Sequence, residues 1–396
     1  MTNKRIAILL TVLGIMFLSL IVYITVFDLS NHDTYAVDAS SEREEYILRG
    51  SVLDRNKVVL AKSTGEGKKQ QRQYPYKNLY SHIIGYKSGE LGSNEIEKYY
   101  NSDLIGNSST PLWGDAVTLA QDIKSMLGGE KQQAGYDITL TVDHELQKAA
   151  HSALGSYKGS VVALNPKTGE VLVMVSKPDF DPSPEVLKDS IRKATEENQN
   201  ALLRRATMEN YSPGSTFKLI VAASMIENGA EDFVFDDKDE LTVKIKNYGE
   251  GEGKFLGETN LEQGFKNSSN IYFSEAAISL GEDKIKETAE NFLFEHELRL
   301  DRLGVAMSKL PTKISSPGDI TNMALGQGDV KASPLHLALI ASAIANDGVM
   351  MSPYIIDSIS GPGGVKARPT MLKRCVSSWA SLKLKNLMKL CVESGT

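Results

Sequence analysis

Tyr211-Ser212-Pro213-Gly214-Ser215-Thr216-Phe217-Lys218 runs directly into an apolar stretch, Leu219-Ile220-Val221-Ala222-Ala223. Pro213 and Gly214 turn the chain, and the apolar run predicts a buried helix over Thr216–Asn228. Ser215 then stands at a helix start, where free N–H groups and the helix dipole favour negative charge. Lys218 follows three residues on, so both side chains share one face. A lysine desolvated at such a place can lose its proton and act as base towards a serine hydroxyl. Spacing alone does not decide the matter, because Ser190-Ile191-Arg192-Lys193 repeats it. That second match lies among Asp189, Glu196 and Glu197, a solvated face with nothing to desolvate a lysine. Context favours Ser215.

Downstream, Lys266-Asn267-Ser268-Ser269-Asn270 precedes apolar Ile271-Tyr272-Phe273, which sets a Ser-x-Asn spacing at another helix start. Ser268 has two readings. It caps that helix, the commoner use of such a serine, or it brings a hydroxyl, with the Asn270 amide, to Ser215 and Lys218. Upstream, Asp137–Val142 alternates like a strand, and Asp143 is placed to cap a helix over His144–Leu154. Gly159–Leu164 and Glu170–Val175 flank Asn165-Pro166-Lys167-Thr168-Gly169, which is turn chemistry and predicts a β-hairpin. Further helical patterns cover Ile271–Leu280, Ile285–Phe294 and Pro334–Asn346, while Gly65–Gln73 reads as an exposed loop. A hairpin followed by many helices predicts an α+β fold with helices packed on an antiparallel sheet.

The chain has 396 residues, 41% hydrophobic and 24% charged, which suits two or three domains with a real core. Its net charge of -6 argues against a nucleic-acid partner. The two cysteines, Cys375 and Cys391, cannot make a metal site by themselves. Lys4 and Arg5 precede an uncharged apolar run from Ile6 to Phe27, and Asp28 and Asp33 follow it. That run is long enough to span a hydrocarbon core of roughly 30 Å as a helix, and the flanking charges put the N-terminus in the cytoplasm. A cleaved signal peptide, with a site near Ala36-Val37-Asp38-Ala39, is the competing reading; its apolar region would be shorter, about 7–15 residues. The chain thus divides into a cytoplasmic tail 1–5, a transmembrane anchor 6–27, a tether 28–45, a first folded region 46–136 and a second, 137–396.

Ser215-x-x-Lys218 with Ser268-x-Asn270 resembles the penicillin-binding proteins and β-lactamases. Arg49-Gly50-Ser51-Val52-Leu53-Asp54-Arg55-Asn56 is similar to the opening pedestal motif of the class B transpeptidases. Arg72-Gln73-Tyr74-Pro75 and His82-Ile83-Ile84-Gly85-Tyr86 look like its next landmarks, and Leu164–Pro182 like the hairpin that opens the catalytic domain. Gly326-Gln327-Gly328 with Ser333-Pro334 resembles a late segment of the active site, which makes Gly326, Gln327 and Gly328 expected substrate contacts. The short first region suggests the penicillin-binding protein A branch. The resemblance implies a pedestal, or dimerisation, domain over 46–136 and a transpeptidase domain over 137–396, with the catalytic domain outside the cytoplasm.

It also implies a mechanism. Ser215 would attack the carbonyl between the terminal D-alanines of a peptidoglycan stem peptide, with Lys218 as base. Ser268 would pass a proton towards the leaving D-alanine, and Asn270 would hold the lysine and the donor peptide's amide. β-Lactams would stall at the acyl stage, and a glycan-polymerising membrane protein is the expected partner; no cofactor or metal is implied. One family motif, Lys-Thr/Ser-Gly, is not met in its expected place. Lys167-Thr168-Gly169 precedes Ser215 and sits in a hairpin turn, Lys331-Ala332-Ser333 lacks the glycine, and Val392-Glu393-Ser394-Gly395-Thr396 looks like the segment shortly before the true motif. On that ground the chain reads as a fragment, incomplete at its C-terminus. Two alternatives remain: an inactive division or elongation scaffold, and a β-lactam sensor or β-lactamase, for which Glu287 and Asn291 have a suggestive spacing on a charged helix.

Overall fold

The computed structural model describes residues 13–14, 16–20, 47–65, 69–106, 134–196, 200–247, 255–361, 366–369 and 374–378. Of the expected anchor 6–27, only 13–14 and 16–20 fall within these, and they are helical. The rest of the anchor, the tether 28–45, the cleavage site near 36–39, Cys391 and the segment 392–396 lie outside the described residues. Among the described residues no helix is long and apolar enough to cross a membrane.

A six-stranded sheet ties the chain together. Its strands are β1 (Val52–Leu53), β2 (Val59–Thr64), β3 (Gln71–Gln73), β4 (Asp137–Leu140), β7 (Ile356–Ser360) and β8 (Lys366–Pro369), in the order β8-β7-β4-β1-β2-β3. β1 lies parallel to β4, and β7 lies antiparallel to β4, with Ile356 opposite Leu140. The sheet is therefore mixed, not antiparallel throughout, and strands from both sides of position 136 share it. The expected loop 65–73 ends in a strand: Gln71–Gln73 pairs with Lys62–Thr64.

The hairpin is β5 (Gly159–Leu164) and β6 (Val171–Lys177), paired antiparallel around the Asn165–Gly169 turn. Gly169 has φ +83°, and a Cβ there would come within 2.2 Å of the Ser352 carbonyl, so the turn admits only glycine. Helix α1 (His144–Leu154) packs on the hairpin, and its Asp143 cap accepts the N–H groups of Glu145 and Leu146. Besides a surface helix, Leu187–Glu196, the remaining large helices are α2 (Lys218–Glu227), α3 (Asn270–Leu280), α4 (Glu282–Asn291), α5 (Pro317–Ala324) and α6 (Pro334–Ala345). Most of α2 and α3 is buried on all sides, as the uniform apolarity of their sequences requires. One hydrophobic cluster runs from Val52, Leu60, Ile83 and Ile96 in the first region to Phe217, Val221, Tyr272 and Phe273 in the second. A glutamate, Glu97, is wholly buried between two guanidiniums: Arg49 and Arg72 each approach its carboxylate at 2.7 Å. Burial opposes its ionisation, but the two arginines outweigh that and hold its pKa below the ordinary carboxylate value.

Candidate active site

Ser215 sits in a 3-10 turn, Gly214–Phe217, that continues directly into α2. Its side chain is exposed, and its N–H belongs to the first turn, where no intrahelical acceptor exists. Phe217 anchors the turn, fully buried and edge-on to Phe294 at 5.5 Å. Behind it the chain closes tightly: Gly214 donates its N–H to Gly326 at 2.9 Å. Gly326 has φ +63°, and a Cβ there would meet the Gly214 carbonyl at 2.2 Å. Gly326 therefore works as a packing point for the serine turn, whereas Gln327 and Gly328 are exposed beside it.

Lys218 is only 2% exposed. Its Nζ donates to the Ser268 carbonyl at 2.7 Å, to Ser268 Oγ at 3.1 Å and to Asn270 Oδ1 at 2.7 Å, and it lies 5.6 Å from the centre of the Phe273 ring. Burial brings its pKa down from 10.5 to about 8. Three of the four expected catalytic residues thus converge on one ammonium group, with Ser215 a turn away on the same helix start. Among the described residues the Ser215 hydroxyl makes no hydrogen bond.

Ser268 does not cap α3. The cap is Ser269, whose Oγ accepts the Tyr272 N–H at 3.1 Å. Ser268 instead adopts φ +50°, unusual for a non-glycine residue and the kind of local strain held at functional sites. Asn270 holds Lys218 through Oδ1, while its Nδ2 donates to the Lys246 carbonyl at 3.1 Å. Sequence reasoning missed the clasp beneath this loop. Asn247 Oδ1 accepts from Ser269 Oγ and from the Ile271 N–H, and Asp237 accepts the N–H groups of Leu256 and Gly257. Nothing in the pattern around Asn247 signals this, because Ser269 and Ile271, the partners of its Oδ1, lie 22 and 24 residues away.

The other matches fall elsewhere. Ser190 accepts the Asp181 N–H on a surface helix, Leu187–Glu196, where Arg192 pairs with Asp189 and Glu196. Lys167-Thr168-Gly169 forms the hairpin turn, with Thr168 bonded to Glu170. Glu287 and Asn291 are exposed on α4. Among the described residues no cluster suited to a metal ion is present.

A family model of the penicillin binding protein transpeptidase domain matches residues 159–396, and one of the penicillin binding protein A dimerisation domain matches 49–135. The peptidoglycan D,D-transpeptidase PbpA of Mycolicibacterium smegmatis is 29% identical over 411 residues, covering 97% of this chain and 81% of that protein. PbpA of Mycobacterium tuberculosis is 29% identical over 343 residues, covering 80% of this chain and 67% of that protein. A solved imipenem acyl-enzyme complex of penicillin-binding protein A from M. tuberculosis superposes with a TM-score of 0.78 at 27% identity, over 89% of this chain and 83% of that one.

Proposed function

The chain belongs to the penicillin-binding protein transpeptidase family, and from that premise we propose that it is a peptidoglycan D,D-transpeptidase working through an acyl-enzyme on Ser215. The observation that carries this reading is the desolvated Lys218, held by Ser268 and Asn270 one helical turn from an exposed serine. As an ammonium, Nζ gives all three protons to its three acceptors. As a neutral amine it keeps two protons for the Ser268 carbonyl and Asn270 Oδ1 and gains a lone pair, which can take the Ser215 proton. Ser215 Oγ then attacks the carbonyl between two D-alanines, and the Ser215 N–H stabilises the developing oxyanion. Ser268, already bonded to Nζ, is placed to relay the proton to the departing D-alanine amine. An amine from a second stem peptide resolves the ester and makes the cross-link, while a β-lactam stops at the ester.

The reading extends to the rest of the molecule. Region 46–136 serves as the pedestal, 137–396 as the catalytic domain, and 6–27 as the membrane anchor with Lys4 and Arg5 on the cytoplasmic side. A membrane protein that polymerises glycan strands is its partner. The protein expressed from its complete gene is to be incubated with a fluorescent penicillin and mapped by peptide analysis. Label on Ser215, lost in Ser215→Ala, is the expected result; label on Ser190 or on no serine overturns the assignment.

A further inference from the structure

Lys309, Lys331 and Ser212 share one face of a small ribbon of three chain segments. Lys309 and Lys331 exchange main-chain hydrogen bonds of 2.7 and 3.0 Å, and Tyr211 and Ala332 exchange two of 2.9 Å. Alternation along extended chain then assigns the faces. Ala332 is fully buried in the core cluster, so its neighbour Lys331 faces outward with Lys309 opposite it. Ser212, next to Tyr211, lies on that same outward face, and Lys331 Nζ donates to Ser212 Oγ at 2.7 Å.

Like charges directly opposite one another across an antiparallel pair repel and destabilise it. This chain is acidic overall, at -6, so the two lysines do not follow from its general charge balance. Among the described residues neither ammonium has a carboxylate partner. Glu209, the acid on the adjoining segment, is committed: it accepts the Tyr211 hydroxyl at 2.5 Å and lies 3.6 Å from Arg205 Nε. Asp329, two residues before Lys331, is exposed and pairs with neither lysine. The ribbon also borders the nucleophile. Ser212 is three residues from Ser215, and the segment that carries Lys331 is the one on which Gly326 receives the Gly214 N–H.

We infer that Lys309, Lys331 and Ser212 form a carboxylate-binding subsite beside the Ser215 turn, which takes an acidic residue of the peptide presented to Ser215. The inference rests on the transpeptidase reading for the identity of its ligand. One carboxylate shared between two ammonium groups removes their mutual repulsion, and the Ser212 hydroxyl is free to rotate and donate to it once Lys331 turns to the anion. The subsite selects peptides by charge at a point away from the scissile bond.

The test uses the protein from its complete gene and two synthetic peptides ending in D-alanyl-D-alanine, identical except that one internal carboxyl is free in the first and amidated in the second. Calorimetry on the Ser215→Ala form reads binding without turnover. The free acid should bind roughly fivefold more tightly than the amide, as expected for a solvent-facing ion pair. That preference should shrink at about 0.5 M salt. It should disappear in Lys331→Gln and in Lys309→Gln, each checked by its melting temperature, so that a folding failure in one leaves the other to decide. No preference in the parent, or a preference that survives in both variants, overturns the inference. Failure of the fluorescent penicillin to label Ser215, with the preference intact, leaves the subsite supported and removes the acyl-enzyme reading instead.

Discussion

In the proposed mechanism Lys218 sets the pH behaviour of the site. It must be neutral to take the Ser215 proton, and burial brings its pKa down to about 8. The rate constant for acylation by penicillin should therefore rise with pH from about 6 and level off above the Lys218 pKa. A stopped-flow profile checks this, and a rate independent of pH would point to another base. Lys218→Ala should slow acylation by on the order of a hundred- to ten-thousandfold. The two adjacent serines should separate cleanly. Ser269→Ala removes the α3 cap and a bond to Asn247, so it should lower stability by about 1 kcal/mol or more. Ser268→Ala should leave the melting temperature nearly unchanged and slow acylation, since the Ser268 hydroxyl is exposed and faces Lys218. Thermal melts and labelling rates on the same samples distinguish the two roles.

The elements that carry the site were legible wherever their signals are local. The Asp143 cap, the turn from Asn165 to Gly169 and the apolar runs after Ser215 and Asn270 each declare themselves within a few residues, and the structure has a helix, a hairpin and two buried helices there. What stayed hidden was non-local. Ser268 and Ser269 are equivalent as caps until the backbone at Ser268 is seen at φ +50°. Gln71–Gln73 reads as loop because its strand character comes from pairing with Lys62–Thr64, not from its own polar residues. The parallel pairing of Val52 with Ile138 has no signature in either segment. Gly326 and Gly328 illustrate the same point. Both have φ +63°, but a Cβ at Gly326 would strike the Gly214 carbonyl, while at Gly328 it would meet only Asn322 Cβ at 3.8 Å. Gly326→Ala should displace the serine turn and cost on the order of a hundredfold in acylation rate. Gly328→Ala should cost only the strain of its backbone, about 1–2 kcal/mol. Labelling rates and melts of the two variants test the contrast.

At the scale of the whole molecule, buried ionisable groups govern stability. Glu97→Gln leaves two buried guanidiniums without their counter-ion and should cost about 3–5 kcal/mol, measured by denaturant unfolding. His82 and His336 are buried and neutral; desolvation lowers each pKa from 6.5 to about 4. Unfolding lets both take up protons, so stability should fall as pH drops from about 6.5 towards 4, by on the order of 2 kcal/mol apiece at pH 5. Replacing either histidine with an untitratable residue of similar size should flatten that slope, and melts from pH 4 to 8 would read it. The mixed sheet also has a consequence in time. β4 receives its neighbour β7 only when Ile356 reaches Leu140, across 216 residues (356 minus 140). A ribosome adding about 5–20 residues per second needs roughly ten to forty seconds to make that stretch. For that interval one edge of β4 hangs open on the nascent chain, and whatever escorts the chain during synthesis must keep other strands off it.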